Sequence, residues 1–245
     1  MRNYIHRQGT DLHALIAELS ASRLLVALIS IDILAIATHA FMVGFDIDPV
    51  YADDYQVRID REGSYSERYE SAKLVTAASA LLFVDLVRRR MTYGFLGVSL
   101  LYLAVDNKYG LHEAAGRWIA PNAIQVGELI YMLVVASVLL AGFLISIWRA
   151  RSQERTAILA ILGGVGLLAA FAVGVDFLHA TFMVEGGSGD LFFVLLEDGG
   201  ELIAITAIAV AVWHIVRPQL ISLTKRVQAI YHRSEVPIGS LSDKV

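Results

Sequence analysis

Apolar residues run in long unbroken stretches rather than in short alternating patterns. Residues 129–148 and 156–175 contain no charged side chain at all. Each approaches the roughly 20 residues that an α-helix needs to cross a bilayer. Repeated along the chain, this pattern predicts six transmembrane helices, near 23–45, 70–88, 91–113, 123–148, 155–183 and 191–216. The second is short in its apolar part, 74–87, and extends backwards through 65–71. The third begins directly after Arg88-Arg89-Arg90 and runs into Asp106. Ahead of them, residues 10–22 place Leu12, Leu15, Ile16 and Leu19 on one face, as in a short amphipathic helix lying on a membrane surface. Gly163, Gly164 and Gly166 leave room for close helix contact in the fifth helix. The expected fold is all-α: one membrane domain over 1–245, with a surface segment at 1–22, a six-helix bundle at 23–216 and a tail at 217–245.

Composition supports this class. The chain is 56% hydrophobic and 18% charged, with mean hydropathy +0.59. Soluble domains average about 45–50% apolar and about 25% charged. A net charge of -4 gives no basic patch for nucleic acid. The absence of cysteine excludes disulfides, thiolate zinc sites and iron–sulfur clusters. The polar N-terminal stretch exceeds twenty residues and the first apolar run carries Asp32, which does not fit a cleavable signal peptide.

Basic residues give an orientation. Arg2, Arg7 and Arg23 precede or open the first helix, and Arg88–Arg90 separate the second and third. Arg149, Arg151 and Arg155 separate the fourth and fifth, and Arg217, Lys225, Arg226 and Arg233 follow the sixth. With six spans these positions share one side, so both termini are expected in the cytoplasm. The opposite side collects Asp46, Asp48, Asp53, Asp54, Asp60 and Glu62, then Glu185 and Asp190, with Arg58, Arg61 and Arg68 among them.

Charged side chains inside a bilayer cost at least about 2.5–3.5 kcal/mol each, which makes them candidates for function. Here they gather at one depth. The outward-running helices end in His39, in Asp106 with His112 and Glu113, and in Asp176 with His179. The inward-running ones begin with Glu128 and with Glu197, Asp198 and Glu201. Asp176 and His179 are three apart, Glu197 and Glu201 four apart, and Asp106 and Glu113 seven apart, so each pair shares a helical face. Two of these ends look alike: THAFMVGF at 38–45 and HATFMVEG at 179–186. Three histidines among carboxylates suit a divalent cation, zinc or, with more carboxylates, iron. The expected ligands are His39, Asp106, His112, Glu113, Asp176 and His179, with Glu197 and Glu201 as candidate catalytic acids.

Bland roles stand beside these. A lone histidine at a helix end is more often an interfacial ring than a ligand, His112 above all. Asp32 lies deep and would need a polar partner on another helix, Asp85 has Arg88–Arg90 nearby, and His214 reads as interfacial. No lysine is placed in the middle of a predicted helix, which argues against a retinal Schiff base. His39 and His179 could face each other as haem ligands only if their helix ends meet. Phosphate-loop, zincin and nucleophile-elbow motifs are absent.

VDNKYGLHE at 105–113 with LLEDGGE at 195–201, and GSYSERYESAK at 63–73, resemble segments of uncharacterised bacterial multi-pass membrane proteins. That resemblance implies the inner membrane of a bacterium. A more distant likeness is to the alkaline ceramidase and progestin-receptor-type superfamily of membrane-embedded zinc hydrolases. That superfamily has seven helices and an H-x-x-x-H pair, and this chain departs from both. Three functions are therefore open: a metal-dependent hydrolase acting on a lipid or a periplasmic small molecule, an ion- or proton-coupled transporter using the same acids, and a structural membrane subunit.

Overall fold

A computed structural model describes residues 19–45, 57–60, 63–182 and 189–234. The described residues are helical and contain no strand: α1 Ala21–Gly44, α2 Tyr65–Arg88, α3 Met91–Tyr109, α4 Leu111–Ile119, α5 Ile124–Arg149, α6 Ser152–Ala169, α7 Asp176–Phe182 and α8 Asp190–Ser234. A π-helical turn, Ala170–Val175, joins α6 to α7, so 152–182 is one long helix with a wide turn near its end. Long helices thus stand at all six expected places. Four segments are long and apolar enough to cross a membrane: Ala21–Gly44, Ile124–Arg149, Glu154–His179 and Asp190–Ile230. The surface helix expected at 10–22 and most of the first acidic loop lie outside the described residues.

Local chemistry explains several boundaries. Ser64 caps α2 by accepting from the Glu67 N–H at 3.2 Å, while the Glu67 carboxylate accepts from the Gly63 N–H. This is close to a capping box, and it starts the helix at Tyr65. Arg89, in the left-handed conformation, closes α2 and turns the chain into α3. The helix expected over 91–113 is instead two helices. Gly110 takes φ 55°, ending α3 and starting α4, a conformation that favours glycine for want of a Cβ. The last helix runs well past the expected 216. At 45 residues α8 is about 68 Å long, more than twice a bilayer's hydrocarbon thickness of about 30 Å.

Helix α8 is the central post. Its apolar segment is 67% buried, against 11% for α1, 11% for α5 and 17% for 154–179. Around it pack α1, α2 and α6, while α3 packs on α2, with Leu74, Leu81, Leu96, Leu100, Ile205 and Ile208 fully enclosed. Gly164 of α6 fits against Ile208, where an added Cβ would come within 2.6 Å of the isoleucine side chain. Gly163 and Gly166 meet nothing, so one of the three glycines makes the expected close contact. The less apolar helices are therefore the inner ones, and the apolar helices present wide faces outward.

The helices alternate in direction, which sorts charge to the two ends of the bundle. The basic end holds Arg88–Arg90 and Arg149–Arg155. There Arg90 and the Tyr93 hydroxyl both bond Glu154, at 2.9 and 2.7 Å. Trp213 also donates to the Leu19 carbonyl at 2.9 Å, tying α8 to the start of α1. Asp85, expected to pair with the arginine run, lies instead against Gly94, and Arg90 takes Glu154. The acidic end holds the candidate site.

Candidate functional site

At the acidic end a cavity of about 980 Å³ opens among α3, α4, α5, the α6–α7 helix and α8. Its wall carries Glu67, Asp106, Glu113, Asp176, Glu197 and Glu201. Its other surfaces are aliphatic and aromatic, among them Leu133, Ala136, Leu140, Phe143 and Val165. Of the eight residues expected to form the site, six line this one cavity: Asp106, His112, Glu113, Asp176, Glu197 and Glu201. His39 and His179 do not line it.

Each histidine has its own acid. His112 Nδ1 lies 3.2 Å from Asp106 Oδ2, and the other oxygen of Asp106 accepts from the His112 backbone N–H at 3.0 Å. Asp106, at the end of α3, therefore caps α4 and holds the first ring of that helix. The expected one-face relation of Asp106 to Glu113 does not hold, because Gly110 breaks the helix between them. The turn nevertheless brings both onto the cavity wall. His112 lies on α4, beyond the ends of the long helices. The hydrogen bond to Asp106 pushes its pKa above the usual histidine value, and Glu113 and Glu128 add to the effect.

His179 bridges two acids of α8, with Nε2 at 2.7 Å from Asp190 and Nδ1 at 3.3 Å from Glu197. Its ring also stacks on Phe193 at 5.4 Å between centroids. The π turn just before Asp176 rotates Asp176 and His179 relative to the helix that precedes them, and such turns occur often at functional sites. His39 is fully enclosed, with Nδ1 3.6 Å from Asp60, beyond hydrogen-bonding distance. The two similar motifs thus share one device: a ring at a helix end facing an aspartate of the next segment. Only the second of these rings also reaches an acid of the cavity wall.

Among the described residues, no three His, Asp or Glu side chains converge as a divalent ion requires. The arrangement is a set of His–carboxylate pairs, and the two rings considered as haem ligands each face an acid. Cations account for part of the acidic wall. Lys108 pairs with Glu67 at 2.9 Å and Arg117 with Glu113 at 3.4 Å. Asp176 and Glu201 form no ion pair among the described residues.

One polar group escaped the sequence reading. Lys73 lies inside α2, buried, where its Nζ donates to Asp32 of α1 at 3.0 Å, Thr206 of α8 at 3.0 Å and the Leu202 carbonyl at 2.9 Å. Thr206 in turn donates to the second oxygen of Asp32 at 2.6 Å. Asp32 therefore has the partner on another helix that its depth requires. The absence of a mid-helix lysine is corrected: α2 starts at Tyr65, within the backward extension expected through 65–71, and Lys73 stands inside it just ahead of the apolar run 74–87. Glu70, one turn before Lys73 on α2 and buried, accepts from Asn107 of α3 at 3.2 Å, and Asn107 lines the cavity. Titratable groups thus continue from the cavity wall toward the middle of the bundle.

The fold and the site define a helical protein with four membrane-length apolar segments and an acid-walled cavity at one end. The chain belongs to a family of unknown function, DUF8692, whose model matches residues 33–215. That stretch takes in every residue lining the cavity, and Lys73 and Thr206, while Asp32 falls one residue before it. No curated protein and no solved structure matches the chain.

Proposed function

We propose that this chain is a six-span protein of a bacterial inner membrane, with both termini in the cytoplasm, whose cavity binds a cation and exchanges protons as it does so. The mode of action is that of an ion- or proton-coupled carrier. One observation supports this above the others: carboxylates from α3, α4, α7 and α8 face a single cavity, and two of them, Asp176 and Glu201, have no ion pair among the described residues. A cation entering there would replace protons or water as their partner, because unpaired carboxylates out of water favour the neutral form. The inward continuation through Glu70 to Lys73 and Asp32 supplies groups by which binding could be felt deeper in the bundle.

Six spans are supported by the position of α2 and α3. Each buries one side in the bundle and exposes apolar residues on the other, among them Phe83 and Leu86 of α2 and Val98 and Leu101 of α3. The buried-side charges in the first half of α2 are engaged: Glu67 by Lys108, Glu70 by Asn107 and Lys73 by Asp32. Polar helices are tolerated in a membrane when they face the bundle interior. The cysteine-free chain makes topology easy to test. Cysteines placed singly at Trp118 and Arg151 should react with impermeant reagents from opposite sides, and reaction from the same side would end the six-span account.

Binding is tested on purified protein in nanodiscs with Na⁺, K⁺, tetramethylammonium and dodecyltrimethylammonium, by calorimetry in two buffers of different ionisation enthalpy. At least one cation should bind saturably with proton release, and the Asp176→Asn/Glu201→Gln variant should lose both. Failure of every cation to bind, or binding with no proton exchange, would contradict the proposal.

A divalent zinc or iron site is the second reading, favoured by Asp106, His112, Glu113 and Asp176 sharing one wall. In the present arrangement their histidine is held by Asp106, so a metal would require His112 or His179 to leave its carboxylate. Metal analysis of protein purified without chelator tests it, and stoichiometric zinc or iron lost in His112→Leu would place this reading first. A lipid or periplasmic small-molecule substrate would then follow as the next question.

A further inference from the structure

The cavity has two chemistries, and the ligand that satisfies both is narrower than a cation. About 980 Å³ is at the upper end of the range for sites that enclose drug-sized molecules. A small inorganic ion would occupy only the acidic wall and leave the apolar remainder without a partner. That remainder is built from α5, α6 and the inner part of α8, and it includes unfilled space. Nothing comes within 4 Å of a Cβ placed on Gly166, which lines it. Leu129, Leu133 and Leu140 line the same cavity and are also exposed on the bundle surface. The cavity is therefore open sideways, along the apolar face of α5, as well as bounded by acids at its end.

We infer that the ligand is an amphiphilic organic cation, with an ammonium head at Asp176 and Glu201 and an alkyl or ring body lying against Phe143, Val165 and Gly166. This inference rests on the cation-binding reading above and narrows it. An anionic amphiphile would bring like charge to the carboxylates, and an uncharged one would remove them from water with nothing in exchange. An ammonium head gives charge-assisted hydrogen bonds or direct ion pairing there, while the body gains from burial of apolar surface. The sideways opening lets such a molecule enter from the apolar phase with its head already near the acidic end.

The same nanodisc titration separates the outcomes. Dodecyltrimethylammonium, tetramethylammonium and dodecyl sulfate are compared on the wild type, Gly166→Leu and Glu201→Gln. Ala136→Leu provides a second cavity-filling variant if Gly166→Leu does not fold. Dodecyltrimethylammonium should bind most tightly. Filling the cavity should weaken it by about tenfold or more, equivalent to about 1.4 kcal/mol, with little change for tetramethylammonium. Glu201→Gln should weaken both cations. Equal affinity for the two cations, unaffected by Gly166→Leu and Ala136→Leu, would overturn the amphiphile and leave the cation site standing. Dodecyl sulfate binding as tightly as its cationic counterpart, or no saturable binding of any cation, would overturn both.

Discussion

The same helices, α2 with α3 on one side of it and α8 on the other, build two different ends. At the basic end they close around Leu81, Val84, Tyr93, Leu96, Ile208 and Ile215, and polar groups meet at the edge, where Arg90 and Tyr93 share Glu154. At the acidic end they enclose Asp32, Glu70, Lys73 and Asp106 and part to leave a cavity. A filled apolar end contributes stability through burial, whereas enclosed charges and empty space both cost stability. A chain that gathers its buried carboxylates and its cavity toward one end has separated the part that holds it together from the part that meets a ligand. The sharpest boundary between them is the Lys73–Asp32–Thr206 cluster, which is polar like the acidic end but closed on itself by hydrogen bonds.

The largest expected effect is at that boundary. Lys73→Met leaves Asp32 enclosed without its counterion, and breaking a buried pair from one side costs about 3–5 kcal/mol. Thermal unfolding in detergent should show a large fall in Tm, and Asp32→Leu/Lys73→Met should recover much of it. A single variant as stable as the wild type would mean that the pair does not join α1, α2 and α8. Next come paired truncations that contrast the ends. Leu96→Ala, in the filled region, should cost about 2–5 kcal/mol, as large-to-small changes in closed cores do. Leu133→Ala, on the cavity wall and exposed, should cost less than about 1 kcal/mol. Equal losses would erase the distinction between the ends.

A smaller effect concerns His112. Its raised pKa means that the folded protein holds this proton more tightly than the unfolded chain does. The resulting stabilisation is complete below the unfolded value, about 6.5, and is lost as pH rises through the higher folded value. Asp106→Asn should lower the His112 pKa in an NMR titration and weaken the fall of Tm from about pH 6 to pH 8. An unchanged pKa would show that the pair is not formed. The smallest change is Arg117→Ala. Its pair with Glu113 is exposed on α4, and such pairs contribute about 0.2–1 kcal/mol, so Tm should hardly move.

The long helices were legible because an apolar run of membrane length is rarely anything but a spanning helix. The acidic layer was legible because charges at the ends of such runs are conspicuous. What the sequence hid has specific causes. The extension of α2 back through 65–71 was legible, and Ser64 and Glu67 start it, but Lys73 just ahead of the apolar run 74–87 gave no sign that its side chain turns inward to Asp32. Gly110 ends α3, yet the residues after it continue a helical pattern, so only the backbone turn reveals that Asp106 folds back onto His112. The three histidines looked like one ligand set because their depth is alike. Of their partners, Asp60 and Asp190 come from the segment that follows, and Asp106 comes from the helix before the Gly110 turn, so spacing along a single helix cannot select them. The π turn at Ala170–Val175 similarly changes which way Asp176 faces without any signal in the apolar pattern.

The central claim is that the acidic end opens into a cavity that selects positive charge. The native chain has no cysteine, so one cysteine at Gly166 reports the cavity alone. In sealed vesicles of known orientation, its reaction rate is measured with small cationic and anionic methanethiosulfonate reagents added from either side. The account predicts reaction from the side of α4, faster with the cationic reagent, with the preference reduced in Asp176→Asn/Glu201→Gln. Equal rates for the two reagents, or reaction only from the side of Arg89 and Arg151, would contradict it.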